Sequence, residues 1–366
     1  MTELFDGKLG VLQRVKPSYR VPFFDCLAAR CSNGMAIFAG DPLSRESIST
    51  EVQPAVARLE PVNNIHLFDP SSPLYACYQQ NLFSRLRAWN PDALIIEANY
   101  RYLSSGRVIR WMRSKNRPVV GWGLGAKSLP APLRQVRDSF LKQFDAMIAY
   151  SKNGAEEYAR LGIPTSKIIV ARNAVTDAPS GPEPVRQAGV VKRPVVLFVG
   201  RLQERKRVGA LIQAITKIPE RIRPDLMIVG DGPEAEPLRL LAQEHLPSTV
   251  FTGYQDGERL ADHFRQADLF VLPGTGGLAI QQAMSFGLPL VVAEGDGTEK
   301  DLVTTKNGWL VEPGNDEQLF STLLTALQDP ERLLEMGRES YRIVKNEINI
   351  QAMANNFIHA INIAKK

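Results

Sequence analysis

The chemistry of this chain is most legible in a glycine segment, Gly274-Thr-Gly-Gly-Leu-Ala-Ile-Gln-Gln-Ala-Met-Ser-Phe-Gly-Leu-Pro-Leu-Val-Val292. It follows the apolar run Leu269–Leu272, enters a helical pattern and stops at Gly287-Leu-Pro289 before a second apolar run. The spacing predicts strand, tight loop and helix. Such a loop leaves several backbone N–H groups unspent at a helix N-terminus, where phosphate is stabilised. Upstream, Val199-Gly-Arg-Leu-Gln-Glu-Arg-Lys-Arg207 follows another apolar run and supplies cations. Loop amides and fixed cations together point to a nucleotide diphosphate.

A repeating strand–helix rhythm must position these residues. In the first half, short apolar runs occur at Gly10–Gln13, Met35–Ala39, Ile65–Phe68, Ala93–Ile96, Val119–Trp122, Ala146–Ala149 and Ile168–Val170. They lack period-two alternation, as strands covered on both faces do. Helical patterns lie between them, near Pro22–Arg30, Leu82–Trp89, Ser104–Ser114, Pro132–Gln143 and Asn153–Leu161. Residues Asp177–Pro194 interrupt the rhythm with clustered Pro and Gly. A second series then runs through Val195–Val199, Leu226–Val229, Val250–Thr252, Leu269–Leu272, Leu290–Ala293 and Trp309–Val311. Its helices are expected at Val208–Ile215, Ala235–Glu244, Gly257–Arg265 and Leu278–Phe286, and the tail from Asp316 is helical. The expected class is α/β, with two Rossmann-like, doubly wound domains. Residues 1–178 form the first domain, 179–193 a linker, 194–347 the second domain and 348–366 a final helix.

Composition narrows the class. A chain of 366 residues, 44% hydrophobic and 23% charged, has the make-up of a soluble globular protein of two domains. No apolar run is long enough to span a bilayer. Glu3 and Asp6 stand where the apolar core of a secretory leader would begin, so the expected location is cytoplasmic. Cys26, Cys31 and Cys77 read as reduced core residues. No metal-ligand spacing, Walker loop or nucleophile elbow occurs, and His66, His245, His263 and His359 are scattered. Positive charge concentrates in residues 101–150, where Arg101, Arg107, Arg110, Arg113, Lys115, Arg117, Lys127, Arg134, Arg137 and Lys142 face only Asp138 and Asp145. This stretch is either a solvated helix face or a surface for anionic lipid headgroups at the inner face of a membrane or for a pyrophosphate-bearing acceptor. Nucleic acid is not an expected partner, because no recognition module or aromatic stripe accompanies the charge.

An ordered set of segments then resembles the retaining GT-B glycosyltransferases of the glycogen-synthase-like "group 1" family. These are Phe198-Val-Gly-Arg-Leu202 with Arg205-Lys206, Ile228-Val-Gly-Asp-Gly-Pro-Glu234, Phe251-Thr-Gly-Tyr254, the segment Gly274–Pro289, and Asn307-Gly-Trp-Leu-Val311 with Pro313-Gly-Asn-Asp316. Tyr150-Ser151, Leu161-Gly-Ile-Pro164 and Ile169-Val-Ala-Arg-Asn-Ala-Val-Thr-Asp177 extend the likeness to the end of the first half. It is strong from about residue 150 onward and loose before it. The resemblance implies a cleft between the domains, a final helix packing back on the N-terminal domain, a nucleotide sugar in the C-terminal domain and an acceptor in the N-terminal one. It also implies transfer with retention and without metal or other cofactor.

Residue roles carry over only where motifs align. Arg201 and Lys206 match the basic pair that stabilises the leaving diphosphate, and preorganised charge is what a metal-free site needs. Gly276, Gly277 and Leu278 match positions whose amides meet phosphate and sugar, with Gly200 and Thr275 beside them. Gln282 takes the second acidic position of a Glu-x7-Glu motif, which grips ribose hydroxyls; Gln281 offers the same amide. Gly274 stands at the first acidic position, a departure that leaves the donor sugar open. Gly253 and Tyr254 fall near the base. Asp296, Gly297 and Thr298 border the sugar, and Glu299 or Asp301 read as helix-start acids.

The first half departs further. Glu97-Ala-Asn-Tyr-Arg-Tyr102 has no histidine where relatives carry a catalytic one, so Asn99 or Tyr100 is expected in its place. Arg20, and Trp122 in the Gly121–Gly125 loop, complete the acceptor or sugar side. The expected activity is retaining, metal-independent transfer of a hexosyl group, glucose first, from a UDP-sugar to a glycan or polyprenyl-linked acceptor. The alternatives are a nucleotide-sugar-binding protein without transferase activity and a GT-B epimerase.

Overall fold

The computed structural model describes residues 3–46, 48–70, 72–184 and 193–365. It divides into two compact units, Met1–Val175 with Ile350–Lys366, and Thr176–Asn349. No helix among the described residues is long and apolar enough to cross a membrane.

The first unit contains strands β1 (Leu9–Val15), β2 (Met35–Gly40), β3 (Arg58–Pro61), β4 (Asn63–Leu67), β5 (Ala76–Gln80), β6 (Ala93–Glu97), β7 (Val119–Gly123), β8 (Ala146–Ala149) and β9 (Ile168–Val170). Seven of them form a parallel sheet in the order β3-β2-β1-β6-β7-β8-β9. Helices α1 (Val21–Ala28), α2 (Leu82–Trp89), α3 (Ser105–Ser114), α4 (Ala131–Leu141) and α5 (Lys152–Arg160) cover it. The central strands are buried along nearly their whole length, which explains their continuous apolar runs. Ser151 caps α5 by accepting from the Gly154 N–H at 3.0 Å.

One expected strand is placed differently. Ile65–Phe68 does not join the parallel sheet: β4 pairs antiparallel with β5 as a separate ribbon, β4 alternating between exposed and half-buried while β5 buries Cys77 and Gln79. The sheet edge is instead β3, which sequence reading missed. Only Leu59 of its four residues is a large aliphatic, and Arg58, Glu60 and Pro61 suit an edge strand that must not recruit another chain.

The second unit holds β10 (Val195–Val199), β11 (Asp225–Val229), β12 (Val250–Gly253), β13 (Leu269–Leu272), β14 (Leu290–Ala293) and β15 (Gly308–Val311), all parallel in the order β12-β11-β10-β13-β14-β15. Its helices are α6 (Val208–Thr216), α7 (Ala235–His245), α8 (Gly257–Gln266), α9 (Ala279–Ser285), α10 (Glu299–Leu302), α11 (Asp316–Leu327) and α12 (Pro330–Asn346). In this order the strand sequence reverses between β10 and β13, which opens a crevice at their carboxyl ends. Residues 185–192 of the expected linker lie outside the described residues. Its earlier part is fastened to α12: the Tyr341 hydroxyl donates to the Gly181 carbonyl at 2.6 Å, and Arg342 pairs with Glu183 at 2.8 Å.

The last helix, α13 (Ile350–Ala364), belongs to the first unit and packs on α1, β7, β8 and β9. Ile350, Met353, Phe357, Ile358 and Ile361 are buried there, and the Phe357 ring meets Phe23 and Trp122 edge-on, each at 4.8 Å between centroids. Burying these five side chains is worth about 10 kcal/mol before chain entropy is counted.

Candidate functional site

The two segments singled out by sequence meet at the crevice between β10 and β13. After β10 the chain turns at Gly200 and makes a short 3-10 turn at Glu204–Lys206. After β13 it runs through Pro273 into Gly274–Leu278 and α9. The two loops are zipped together: the Thr275 N–H donates to the Arg205 carbonyl at 3.1 Å. Lys206, only 6% exposed, donates from Nζ to the Thr275 carbonyl at 2.7 Å and to the Gly276 carbonyl. The loop therefore turns carbonyls toward Lys206, while the N–H groups of Gly276, Gly277 and Leu278 make no backbone hydrogen bond among the described residues.

Glycine is required at Gly274 by packing. A Cβ there would stand 2.6 Å from the Lys206 Cα, against main chain that cannot move aside. No side chain, acidic or otherwise, fits at that position in this arrangement. Gly276 is different: it has φ +61° and open space around a would-be Cβ, so it is chosen for its left-handed backbone. Beneath the site, a Cβ on Gly230 would stand 2.9 Å from the Gly200 carbonyl carbon, so the neighbouring strand ends can approach only as glycines.

Burial holds Lys206 down to about 8, helped by the nearby Arg205 charge and partly offset by Glu299 and Asp296. Glu299 is itself 1% exposed. One carboxylate oxygen accepts from the Gly297 N–H at 3.0 Å; the other, Oε1, is buried without a partner among the described residues. A Cβ on Gly295 would stand 2.7 Å from that oxygen and 3.4 Å from the Gly276 nitrogen, so the acid and the glycine loop flank one small space. Sequence reading took Glu299 only as a helix-start acid; its burial depends on the loop after β14 folding over it. Asp296 is occupied locally, accepting from the Thr298 N–H at 3.0 Å and hydroxyl at 2.6 Å.

The remaining expected residues separate by burial. Arg201 is exposed, with no side-chain hydrogen bond or ion pair among the described residues, whereas Lys206 is buried in the loop. Gly253 ends β12 with φ +71°, and Tyr254 is 72% exposed with its hydroxyl 3.4 Å from Asp256. The two adjacent glutamines have different roles. Gln281 is buried and ties the ends of the unit together: it donates to the Ile348 carbonyl at 2.9 Å and the Thr176 hydroxyl at 2.5 Å, and accepts from the Thr176 N–H at 3.2 Å. Gln282 is half-buried, and its amide makes no bond among the described residues. Of the two, only Gln282 is available to a ligand.

In the first unit, Asn99 is engaged in its own turn, accepting from the Arg101 N–H at 3.1 Å. Tyr100 lines an open cavity of about 490 Å³ with Tyr102, Leu103, Val136 and Phe140, and its hydroxyl is buried without a partner among the described residues. Trp122 corrects an expectation. Gly121–Gly123 belong to β7 and not to a loop, and Trp122 is 1% exposed in the core. Its ring meets the guanidinium of the likewise buried Arg20, whose carbon lies 4.6 Å from the Trp122 ring centre, and the ring of Tyr150 at 5.4 Å. Among the described residues no group of three or more His, Cys, Asp or Glu is placed to hold a metal ion, and the three cysteines are free thiols.

Residues 183–343 match the model of the family described as glycosyl transferases group 1. The sulfoquinovosyl transferase SQD2 of Arabidopsis thaliana is 35% identical over 41% of this chain and 30% of its own length. The GDP-mannose-dependent alpha-mannosyltransferase of Corynebacterium glutamicum is 33% identical over 42% and 36%, and the colanic acid biosynthesis glycosyltransferase WcaL of Escherichia coli, a putative assignment in its own name, 26% over 57% and 54%. The chain thus spans about a third to a half of the length of the curated relatives it matches. Among solved structures, Anabaena Alr3699/HepE in complex with UDP superposes with a TM-score of 0.72 at 18% identity, covering 97% of this chain and 99% of that one. The sucrose-phosphate synthase of Thermosynechococcus elongatus gives 0.66 at 20% identity over 95% and 96%. The fold is GT-B, and residues 183–343, whose described part lies within the second unit, are similar to the group 1 glycosyl transferases.

Proposed function

We propose that the protein is a retaining, metal-independent glycosyltransferase that moves a hexosyl group, glucose first, from a UDP-sugar to a glycan or polyprenyl-linked acceptor, at or near an anionic membrane surface. The observation that carries the reading is the meeting of Lys206 with the Gly274–Leu278 loop at the reversal point of the second sheet. There the diphosphate displaces the Thr275 and Gly276 carbonyls from the Lys206 ammonium and takes the free loop amides. Arg201, unengaged at the rim, closes on the same charge. As the glycosidic bond breaks, negative charge grows on the β-phosphate, and these fixed donors stabilise it without reorganising. The acceptor hydroxyl attacks on the face that the phosphate leaves and gives its proton to the departing oxygen. Gln282 hydrogen-bonds the ribose, and Gly253 and Tyr254 border the base.

A second reading has its own observation. Gly274 admits no side chain, so the acid usual at that position in the family is excluded by packing as well as by sequence. This favours a nucleotide-sugar-binding protein without transferase activity. Calorimetric titration with UDP- and GDP-sugars, with and without EDTA, followed by turnover assays on a panel of acceptors, tests both. Binding of a UDP-sugar that resists EDTA, followed by transfer, supports the first reading. Tight binding without transfer or hydrolysis supports the second. Preference for a GDP-sugar, as the mannosyltransferase relatives' names would suggest, overturns the UDP assignment.

A further inference from the structure

Among the described residues Arg20 is a buried cation without a counter-ion. It is 8% exposed, and among the described residues its side-chain hydrogen bonds go to neutral oxygens, Asn173 Oδ1 at 3.3 Å and the Tyr150 hydroxyl at 3.1 Å, with the Tyr19 hydroxyl beside them. A guanidinium carries five N–H donors, so these leave capacity unspent. No carboxylate among the described residues lies within ion-pair distance of it. Glu97, the acid whose field reaches it, is committed elsewhere, accepting from the Arg14 N–H at 3.3 Å and the Tyr102 hydroxyl at 3.2 Å. Other buried or mostly buried arginines of the same unit are paired directly, Arg14 with Glu46 at 2.7 Å and Arg137 with Asp138 at 2.6 Å. Burying a charge without a partner is costly, and buried charges in proteins are ordinarily paired.

Two further observations converge on the same place. Trp122, on whose ring Arg20 lies, is 1% exposed, and its Nε1–H is buried without an acceptor among the described residues. The residues involved also come from the carboxyl ends of several strands: Arg20 follows β1, Trp122 is near the end of β7, Tyr150 directly follows β8 and Asn173 follows β9. Ligands of parallel sheets bind at this edge. Tyr19, 44% exposed and stacked against Arg20 at 5.5 Å, connects the cluster to solvent.

We propose that Arg20 is the anion-binding centre of the acceptor site in the first unit, so that the acceptor carries a phosphate or a carboxylate. The proposal rests on the transferase reading above and names the acceptor class that reading leaves open. Stacking on the indole fixes the guanidinium plane and strips one face of water, and the free edge then forks two parallel N–H bonds to a planar carboxylate or a phosphate. Lysine would supply charge without that fork.

The test uses the full chain carrying Lys206→Ala, so that the ammonium of the second unit does not contribute. Inorganic phosphate and glucuronate are titrated separately by calorimetry into this protein and into the same protein with Arg20→Gln or Arg20→Lys. The expected result is one site for at least one anion, weakened tenfold or more by Arg20→Gln and by only a few-fold with Arg20→Lys. Preference for phosphate indicates a phosphorylated acceptor, and preference for glucuronate an acidic sugar. Melting curves and near-ultraviolet circular dichroism establish that each variant is folded. If neither anion binds, or if Arg20→Gln leaves binding unchanged in a folded protein, the proposal is overturned. Nucleotide-sugar binding by the parent protein is measured in parallel. If it is retained while the anion site fails, only this inference falls; if it is absent while the anion site holds, the transferase reading falls.

Discussion

Raising the pH from 6.5 to 9 should weaken nucleotide-sugar binding about tenfold through Lys206 alone. In the free protein its ammonium sits among carbonyls and is held down to about 8 by burial. Against a diphosphate it returns at least to the ordinary lysine value of about 10.5. The liganded value is thus the higher one, so the binding contribution is complete below pH 8 and declines about one decade per unit above it. At pH 9 a group of pKa about 8 is roughly one-tenth protonated, which corresponds to about 1.4 kcal/mol of lost binding energy. The assay is calorimetry with a UDP-sugar, whose esterified diphosphate does not itself titrate over this range. Repeating it at pH 8 in buffers of different ionisation enthalpy should show uptake of about half a proton per ligand. Lys206→Arg should flatten the profile, because arginine stays charged throughout. An affinity in the parent protein that does not change between pH 7 and 9, or an equal slope in the arginine variant, would refute the argument. The same group affects folding with the opposite sign. Its folded value lies below its unfolded one, so stability should rise between about pH 8 and 10.5, and Lys206→Met should melt higher than the parent at pH 7 while losing nucleotide binding.

Other perturbations separate packing from binding. Gly274→Ala places a methyl against the Lys206 main chain and should cost about 3 kcal/mol or more in thermal unfolding; Gly274→Glu should be at least as destabilising and should not raise turnover, which activity assays on refolded protein would check. Gln281→Leu removes three hydrogen bonds to Thr176 and Ile348 and should cost about 2–3 kcal/mol, visible as a lower denaturation midpoint. Gln282→Ala should change stability by less than about 0.5 kcal/mol yet weaken UDP binding about fivefold. Glu299→Gln removes a negative charge that favours the Lys206 ammonium, so the pH midpoint of binding should move to lower pH; a shift upward would contradict the placement of Glu299.

The fold was legible where strands are buried on both faces. Val195–Val199 and Leu290–Ala293 are apolar without interruption, bounded by Gly, Pro or charge, and the structure ends them at the same residues. Legibility failed at the sheet edge, where β3 is built from residues that suit solvent, and in the β4–β5 ribbon, whose one-sided exposure is invisible without its partner. Of the candidate site, the loops and their glycines followed from spacing. What spacing could not show depends on where other groups go: that Lys206 is occupied by carbonyls, that Gln281 is spent on Thr176 and Ile348, that Glu299 is buried, and that Glu97, whose field reaches Arg20, accepts from Arg14 and Tyr102 instead. These are statements about partners distant in the chain, and a single sequence does not number them.

The return of α13 to the first unit governs the order in which this protein can be made. On the ribosome the first seven-stranded sheet emerges early, yet the apolar face formed by Phe23, Trp122 and β8 stays uncovered until residues 350–364 leave the exit tunnel. The entire second unit is synthesised in the interval. Early folding of the leading domain, the usual course for multidomain chains, is therefore interrupted here, and the nascent first unit must wait with a sticky flank. Ribosome-bound chains halted before residue 350 should bind hydrophobic dyes and trigger-type chaperones, and they should release both when the last helix is supplied as a separate peptide.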